Sequence, residues 1–163
     1  MRKSIIAILM TFCLSIMTYA QTPRDRATEL KEQAQSSLNQ KDYIKARYLF
    51  KKAYEAFATR ENYPQAIECG VQANALYVRE NFYKEGFELC RDMDQLIWAG
   101  EQNQKKVFYD LRFLVNKERL QMYTALKNPA QAKTQLNKLE ETANLAKNDS
   151  LTEVLLYTKA NYY

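Results

Sequence analysis

Histidine is absent from this 163-residue sequence, and glycine, proline and cysteine occur only three times each. Without histidine the chain has no imidazole for acid–base catalysis or for binding a metal ion. It contains no glycine-rich phosphate loop, no Gly-x-Ser-x-Gly motif and no Cys-x-x-Cys pair. We therefore predict that the chain is not an enzyme and binds neither a cofactor nor a metal ion.

A long hydrophobic run is missing too. The longest apolar stretch, Ile5 to Met17, is shorter than the roughly 20 residues of a membrane-spanning helix. Arg2 and Lys3 precede it, and Thr18-Tyr19-Ala20 follows it as a small-x-small end. This order is typical of a secretory signal peptide, and a membrane anchor is the alternative. We predict a signal peptide over residues 1–20, which leaves an exported chain, in a bacterial periplasm or outside the cell, with no membrane insertion.

Charge of one sign is not concentrated anywhere in the chain. The formal net charge is +5, and it falls to +3 without Arg2 and Lys3, because 22 of the 24 basic residues then oppose 19 acidic ones. Nucleic-acid binding requires basic residues clustered on one face of a domain, whereas here they are interleaved with acidic ones. We therefore expect no nucleic-acid partner.

The abundant residues are alanine, leucine, lysine, glutamate, glutamine and tyrosine, a composition that favours helices. The clearest helical pattern is Lys41 to Phe57, where bulky and small apolar residues return at steps of three and four. These residues are Tyr43, Ala46, Leu49, Phe50, Ala53 and Phe57. A helix of this kind packs closely against a partner helix, and the predicted fold class is all-α.

Capping residues and helix breaks divide the chain further. The predicted helix starts have a side chain that can accept a hydrogen bond from the first turn, some with a proline nearby. They are Thr22-Pro23, Asp42, Asn62 with Pro64, Asn81, Asn128-Pro129 and Ser150. We predict that Gly100 ends the helix that begins at Phe82, and that the next helix runs from Gln102 to Ala125. The helices then pair into hairpins over about 22–59, 62–100 and 102–147, with an incomplete one from 150.

The first hairpin resembles a tetratricopeptide repeat. The resemblance is carried by Leu30, Ala34, Tyr43, Ala46, Phe50 and Ala53, and the last four have counterparts 40 residues later at Tyr83, Gly86, Cys90 and Met93. The standard repeat is shorter, roughly 34 residues. Ser37 stands where the family usually has an aromatic residue, and no proline closes the unit. The resemblance implies a solenoid of antiparallel helical hairpins over residues 22–163, about three and a half repeats long.

The same resemblance implies where a partner binds, because this family places its binding groove on the first helix of each repeat. Carried over by position, the groove residues are Lys31, Gln35, Val71, Ala75, Arg79, Lys117, Gln121 and Tyr157. The function that we predict is non-catalytic binding of a protein or peptide partner.

The helix that begins at Ser150 has no second helix after it in the sequence, and solenoids normally finish with a polar capping element. We expect the chain to be the N-terminal part of a longer protein, and the alternative is that these residues pack back as a terminal cap. A longer protein favours a second function, the extracytoplasmic sensing part of a membrane-bound kinase or regulator whose membrane-bound region lies downstream. A helical bundle with a purely structural role is a third hypothesis.

Cys69 and Cys90 are the two cysteines outside the predicted signal peptide. If their helices fold back around Glu80, the two residues lie at the same level of the hairpin. A disulfide is then one alternative in an oxidising compartment, and a pair of buried free thiols is the other.

Overall fold

The computed structural model of the protein describes residues 25–162, so the predicted signal peptide and the Thr22-Pro23 helix start lie outside the described residues. Within that range the chain forms seven α-helices and no β-strand, which confirms the all-α class. The helices are α1 (Arg26–Asn39), α2 (Tyr43–Thr59), α3 (Tyr63–Arg79), α4 (Tyr83–Gln104), α5 (Tyr109–Ala125), α6 (Pro129–Ala146) and α7 (Asp149–Tyr162). None of these seven helices combines the length and the apolarity needed to cross a bilayer.

Successive helices pack against one another in chain order, and α3 also contacts α5. The connections are only two to four residues long, so neighbouring helices fold back as antiparallel hairpins. α1 pairs with α2, α3 with α4 and α5 with α6, whereas α7 packs on α6. The predicted solenoid of helical hairpins is confirmed.

The first four helices follow a half-period of 20 residues. Their connections place Lys41, Glu61 and Asn81 in the left-handed backbone region, at φ 63°, 57° and 62°. In each case the next N–H bonds back to a carbonyl five residues earlier, as from Asn62 to Phe57 at 3.0 Å, which caps the helix with a Schellman motif. These positions usually hold glycine, and here larger residues occupy them. The helices α2 and α3 have 17 residues each, and this length explains the 40-residue repeat.

Burial in α2 is repeated in α4 at the same offset. The buried residues Ala46, Leu49, Phe50, Ala53 and Phe57 of α2 correspond to Gly86, Leu89, Cys90, Met93 and Ile97 of α4, which are buried as well. The two helices therefore occupy equivalent places in successive hairpins.

Three predicted caps are confirmed. The side chains of Asp42, Asn62 and Asn128 accept hydrogen bonds from the backbone N–H three residues later, at 3.2, 3.4 and 3.2 Å. Each of these bonds is local, so residue type and spacing were sufficient to predict it.

Other predicted helix starts were wrong. The helix α1 begins at Arg26 with Asp25 as its cap, and α7 is capped by Asn148, whose side chain accepts from the Ser150 N–H at 3.0 Å. Asn81 does not cap α4, because its left-handed backbone belongs to the end of α3 and its side chain accepts from the Tyr83 hydroxyl at 2.8 Å.

Gly100 does not end α4, contrary to the prediction, and the helix continues to Gln104. The glycine is buried between two rings, since a Cβ atom there would lie 2.8 Å from the Phe108 ring and 3.0 Å from the Tyr63 ring. The predicted helix Gln102 to Ala125 is also wrong, because the chain turns at Lys105 and α5 starts at Tyr109. The buried Glu101 fixes this turn by accepting from the Phe108 N–H at 2.9 Å and from Arg112 Nε at 2.7 Å.

The apolar core has two clusters, and α5 contributes to both. Leu111, Val115 and Met122 join the larger cluster, which is built mainly from α1 to α4. Phe113 and Leu120, on the other side of the same helix, join the smaller cluster with α6 and α7. The helix α5 therefore connects the first two hairpins to the last two helices.

Both Cys69 and Cys90 are buried, and the structure holds them as free thiols. Burial raises the pKa of Cys69 to about 11 and that of Cys90 to about 12. Since only the thiolate is a strong nucleophile, both side chains are unreactive in the folded protein.

A buried polar pair connects α3 to α5. Asn74 Nδ2 donates a hydrogen bond to Glu118 Oε2 at 3.0 Å, and both residues are buried. Asn74 Oδ1 has no hydrogen-bond partner among the described residues. Gly86 makes room for the pair, because a Cβ atom there would approach Asn74 Oδ1 to 2.9 Å.

We expect Glu118 to make the protein less stable as pH rises. Burial raises the pKa of Glu118, against smaller opposing effects of Asn74 and Lys117. The folded chain therefore holds this proton more tightly than the unfolded chain, so the free energy of unfolding falls as pH rises from the ordinary glutamate pKa through the raised one.

Urea unfolding from acid to mildly alkaline pH tests this expectation. Glu118→Gln should flatten the decline and stabilise the protein at neutral pH by about 1–3 kcal/mol. Glu101→Gln is a control of opposite sign, because the Arg112 hydrogen bond lowers the pKa of Glu101 and makes its charged form stabilising. A Glu118→Gln protein that is less stable than wild type at neutral pH would contradict the expectation.

Candidate functional site

The helices α5 and α7 both pack on α6 and leave a cleft of about 430 Å³ between them. This volume falls within the range of ligand pockets in proteins. The cleft is lined by Lys117, Leu120, Gln121, Thr124, Ala125, Val154, Tyr157, Thr158, Asn161 and Tyr162.

Helical spacing explains which residues of α7 line the cleft. Leu155 is buried against the smaller core cluster, with Leu151 and Tyr162 packed beside it, and these side chains hold α7 in place. Tyr157 lies about 200° around the helix from Leu155, at 100° per residue, and is 73% exposed. The helix therefore docks on one side and presents another side to the cleft.

The chemical character of the cleft is apolar with a polar edge. Leu120 and Val154 supply aliphatic surface, and Tyr157 adds a solvated aromatic ring. The amides of Gln121 and Asn161 can each donate and accept hydrogen bonds. Lys117 is the one charged residue among those that line the cleft. Such a surface suits an apolar side chain attached to a polar backbone.

Three of the eight predicted groove residues, Lys117, Gln121 and Tyr157, come together in this cleft. Sequence reasoning missed Val154, Thr158 and Asn161, although they lie three or four residues from Tyr157 or from one another on the same helix. Extending the prediction along that helical face could have found them.

The other five predicted groove residues lie on α1 and α3, away from the cleft. Lys31 bridges these two helices, with its Nζ 2.8 Å from Gln65 Oε1 and 2.8 Å from Glu68 Oε2. The Arg79 guanidinium lies 3.9 Å from the centre of the Tyr43 ring. The remaining three also make no contact with the cleft: Gln35 bonds to Asn39, Val71 is half-buried against the core, and Ala75 is exposed.

A second cleft of about 510 Å³ lies among α4, α5 and α6. Its arginines already have partners, since Arg112 pairs with Glu101 and Arg119 pairs with Asp94. Arg119 also donates to the Cys90 carbonyl at 3.0 Å. These ion pairs connect α4 to α5, so we interpret them as structural.

Nowhere in residues 25–162 do three or more Cys, Asp or Glu side chains converge in a way that could hold a metal ion. No family model matches the chain, and no curated protein and no solved structure matches it either.

Proposed function

We propose that this chain is an exported tetratricopeptide-like repeat module that binds a peptide segment of a protein partner between α5 and α7. The observation that carries the proposal is the exposed Tyr157 ring beside an apolar cleft bordered by Lys117 and Gln121. α5 and α7 open the third hairpin and the incomplete fourth, which are the helices that line the groove in tetratricopeptide repeats.

The surface chemistry supports a peptide as the ligand. A peptide backbone offers the N–H and C=O groups that the Gln121 and Asn161 amides can pair with. An apolar side chain of that peptide would be covered by Val154, Leu120 and the Tyr157 ring. We expect the preferred peptide to combine an apolar anchor with a neutral or acidic flank, because Lys117 is the charged group at this site.

Export is part of the proposal and rests on the order of basic, apolar and small residues in positions 1–20. Binding outside the cytoplasm is consistent with a surface that shows no arrangement for group-transfer chemistry among the described residues.

Selection of random peptides displayed on phage, followed by fluorescence anisotropy with the enriched peptides, tests the binding proposal. We expect Tyr157→Ala to weaken binding at least tenfold, since aromatic anchors dominate interface energetics. Tyr48→Ala is a matched control, because Tyr48 is 61% exposed on α2 and does not line the cleft. Equal affinities for the two variants would contradict the proposal.

A further inference from the structure

The exposed faces of α2 and α4 carry opposite charge at equivalent positions. Lys45 and Lys52 lie seven residues apart on α2, and the positions 40 residues later hold Glu85 and Asp92 on α4. All four side chains are exposed, and residues seven apart lie on the same face of a helix. Each helix therefore presents a stripe of one sign at the same place in its hairpin.

The contrast extends over both helices. α2 has four basic residues and one acidic residue, a net charge of +3, whereas α4 has two basic and five acidic residues, a net charge of −3. Within residues 25–162 no ion pair joins these two helices. The opposite charges are thus left facing solvent.

Exposed apolar side chains lie on the same two faces. Ile44 and Tyr48 on α2 are 69% and 61% exposed, and Trp98 on α4 is 62% exposed. Grouped apolar side chains at a charged surface are a frequent mark of a protein interface. Here they accompany a basic stripe on one helix and an acidic stripe on the other.

The two helices lie side by side in one layer. Both pack on α3, where Tyr54 of α2 and Met93 of α4 close over Gly70, at 3.2 Å and 2.6 Å from a Cβ atom built there. Each is antiparallel to α3, so α2 and α4 run in the same direction. A rotation of 180° about an axis parallel to them would place α2 of one copy over α4 of another.

We propose that these faces form a two-fold symmetric homodimer, in which α2 of each copy packs on α4 of the other. Such an interface is self-complementary, because each chain supplies both a basic and an acidic helix. Lys45 then faces Glu85 of the partner subunit, and Lys52 faces Asp92 of the partner subunit, with the same pairs repeated across the axis. A single acidic partner protein would match α2 and leave α4 unmatched, so a second copy fits the charges better.

Sedimentation velocity of the purified full-length protein at low ionic strength tests the dimer. Wild type should show a concentration-dependent dimer that weakens as salt is added. Lys45→Glu combined with Lys52→Glu should weaken the dimer at least tenfold, and so should Glu85→Lys combined with Asp92→Lys. The four positions are exposed, so circular dichroism should show unchanged helix content in both variants.

Mixing the two charge-reversed proteins gives the decisive result. One variant then presents two acidic helices and the other presents two basic helices, so the mixture should form a heterodimer although neither variant associates alone. A wild-type protein that stays monomeric at high concentration would overturn the proposal. A dimer that survives both reversals, or an open polymer in place of a closed dimer, would overturn it too.

Discussion

Leu155→Ala should release α7 from the rest of the molecule, whereas Leu156→Ala should change little. Leu155 is 5% exposed and is the buried residue of α7 in the described chain, while its neighbour Leu156 is 63% exposed. Removing a buried leucine typically costs about 2–5 kcal/mol. The remaining contacts of α7 include the exposed Lys159–Glu140 ion pair, which contributes no more than about 1 kcal/mol.

Hydrogen exchange followed by mass spectrometry measures this release. In Leu155→Ala the amides of residues 149–162 should exchange much faster than in wild type, while α1 to α4, which belong to the larger core cluster, should keep their protection. Because α7 forms one wall of the cleft, the same variant should lose peptide binding. Equal protection of α7 in the Leu155→Ala and Leu156→Ala proteins would show that α7 is held in another way.

Gly100→Ala should destabilise the protein by about 1–3 kcal/mol, the usual cost of overpacking a core. Alanine in place of glycine normally stabilises a helix by roughly 0.5–1 kcal/mol. Here the added methyl group would meet the rings of Phe108 and Tyr63 at 2.8 and 3.0 Å, and Tyr63 is buried with little room to move.

Chemical denaturation of Gly100→Ala, Phe108→Leu and the double variant checks this prediction. Removing the ring edge of Phe108 should relieve part of the clash, so the two substitutions should couple in a double-mutant cycle. A Gly100→Ala protein more stable than wild type would mean that the residue is simply a helix-interior glycine with space around it.

The sequence predicted features that depend on local spacing. The caps at Asp42, Asn62 and Asn128 were correct because a capping bond joins residues three apart. The α4–α5 boundary was wrong because Gly100 looks like a helix terminator in sequence, yet it is set by packing against Tyr63, 37 residues away. The Schellman turns were not predicted because lysine, glutamate and asparagine occupy positions where glycine is the usual signal.

The candidate site was predicted in part for the same physical reason. Lys117 and Gln121 share a face of α5 at a spacing of four, which a sequence shows directly. Their approach to Tyr157 depends on how α7 docks on α6, a tertiary contact with no local signal. The buried pair of Asn74 and Glu118 is also beyond sequence reasoning, since it joins residues 44 positions apart.

The most direct test of a partner-binding cleft is hydrogen exchange of the wild-type protein with and without a saturating phage-selected peptide. The account predicts added protection in α5 and α7, around residues 117–125 and 154–162, and none on the outer faces of α2 and α4. Protection confined to the outer faces of α2 and α4, or absent from α7, would contradict it.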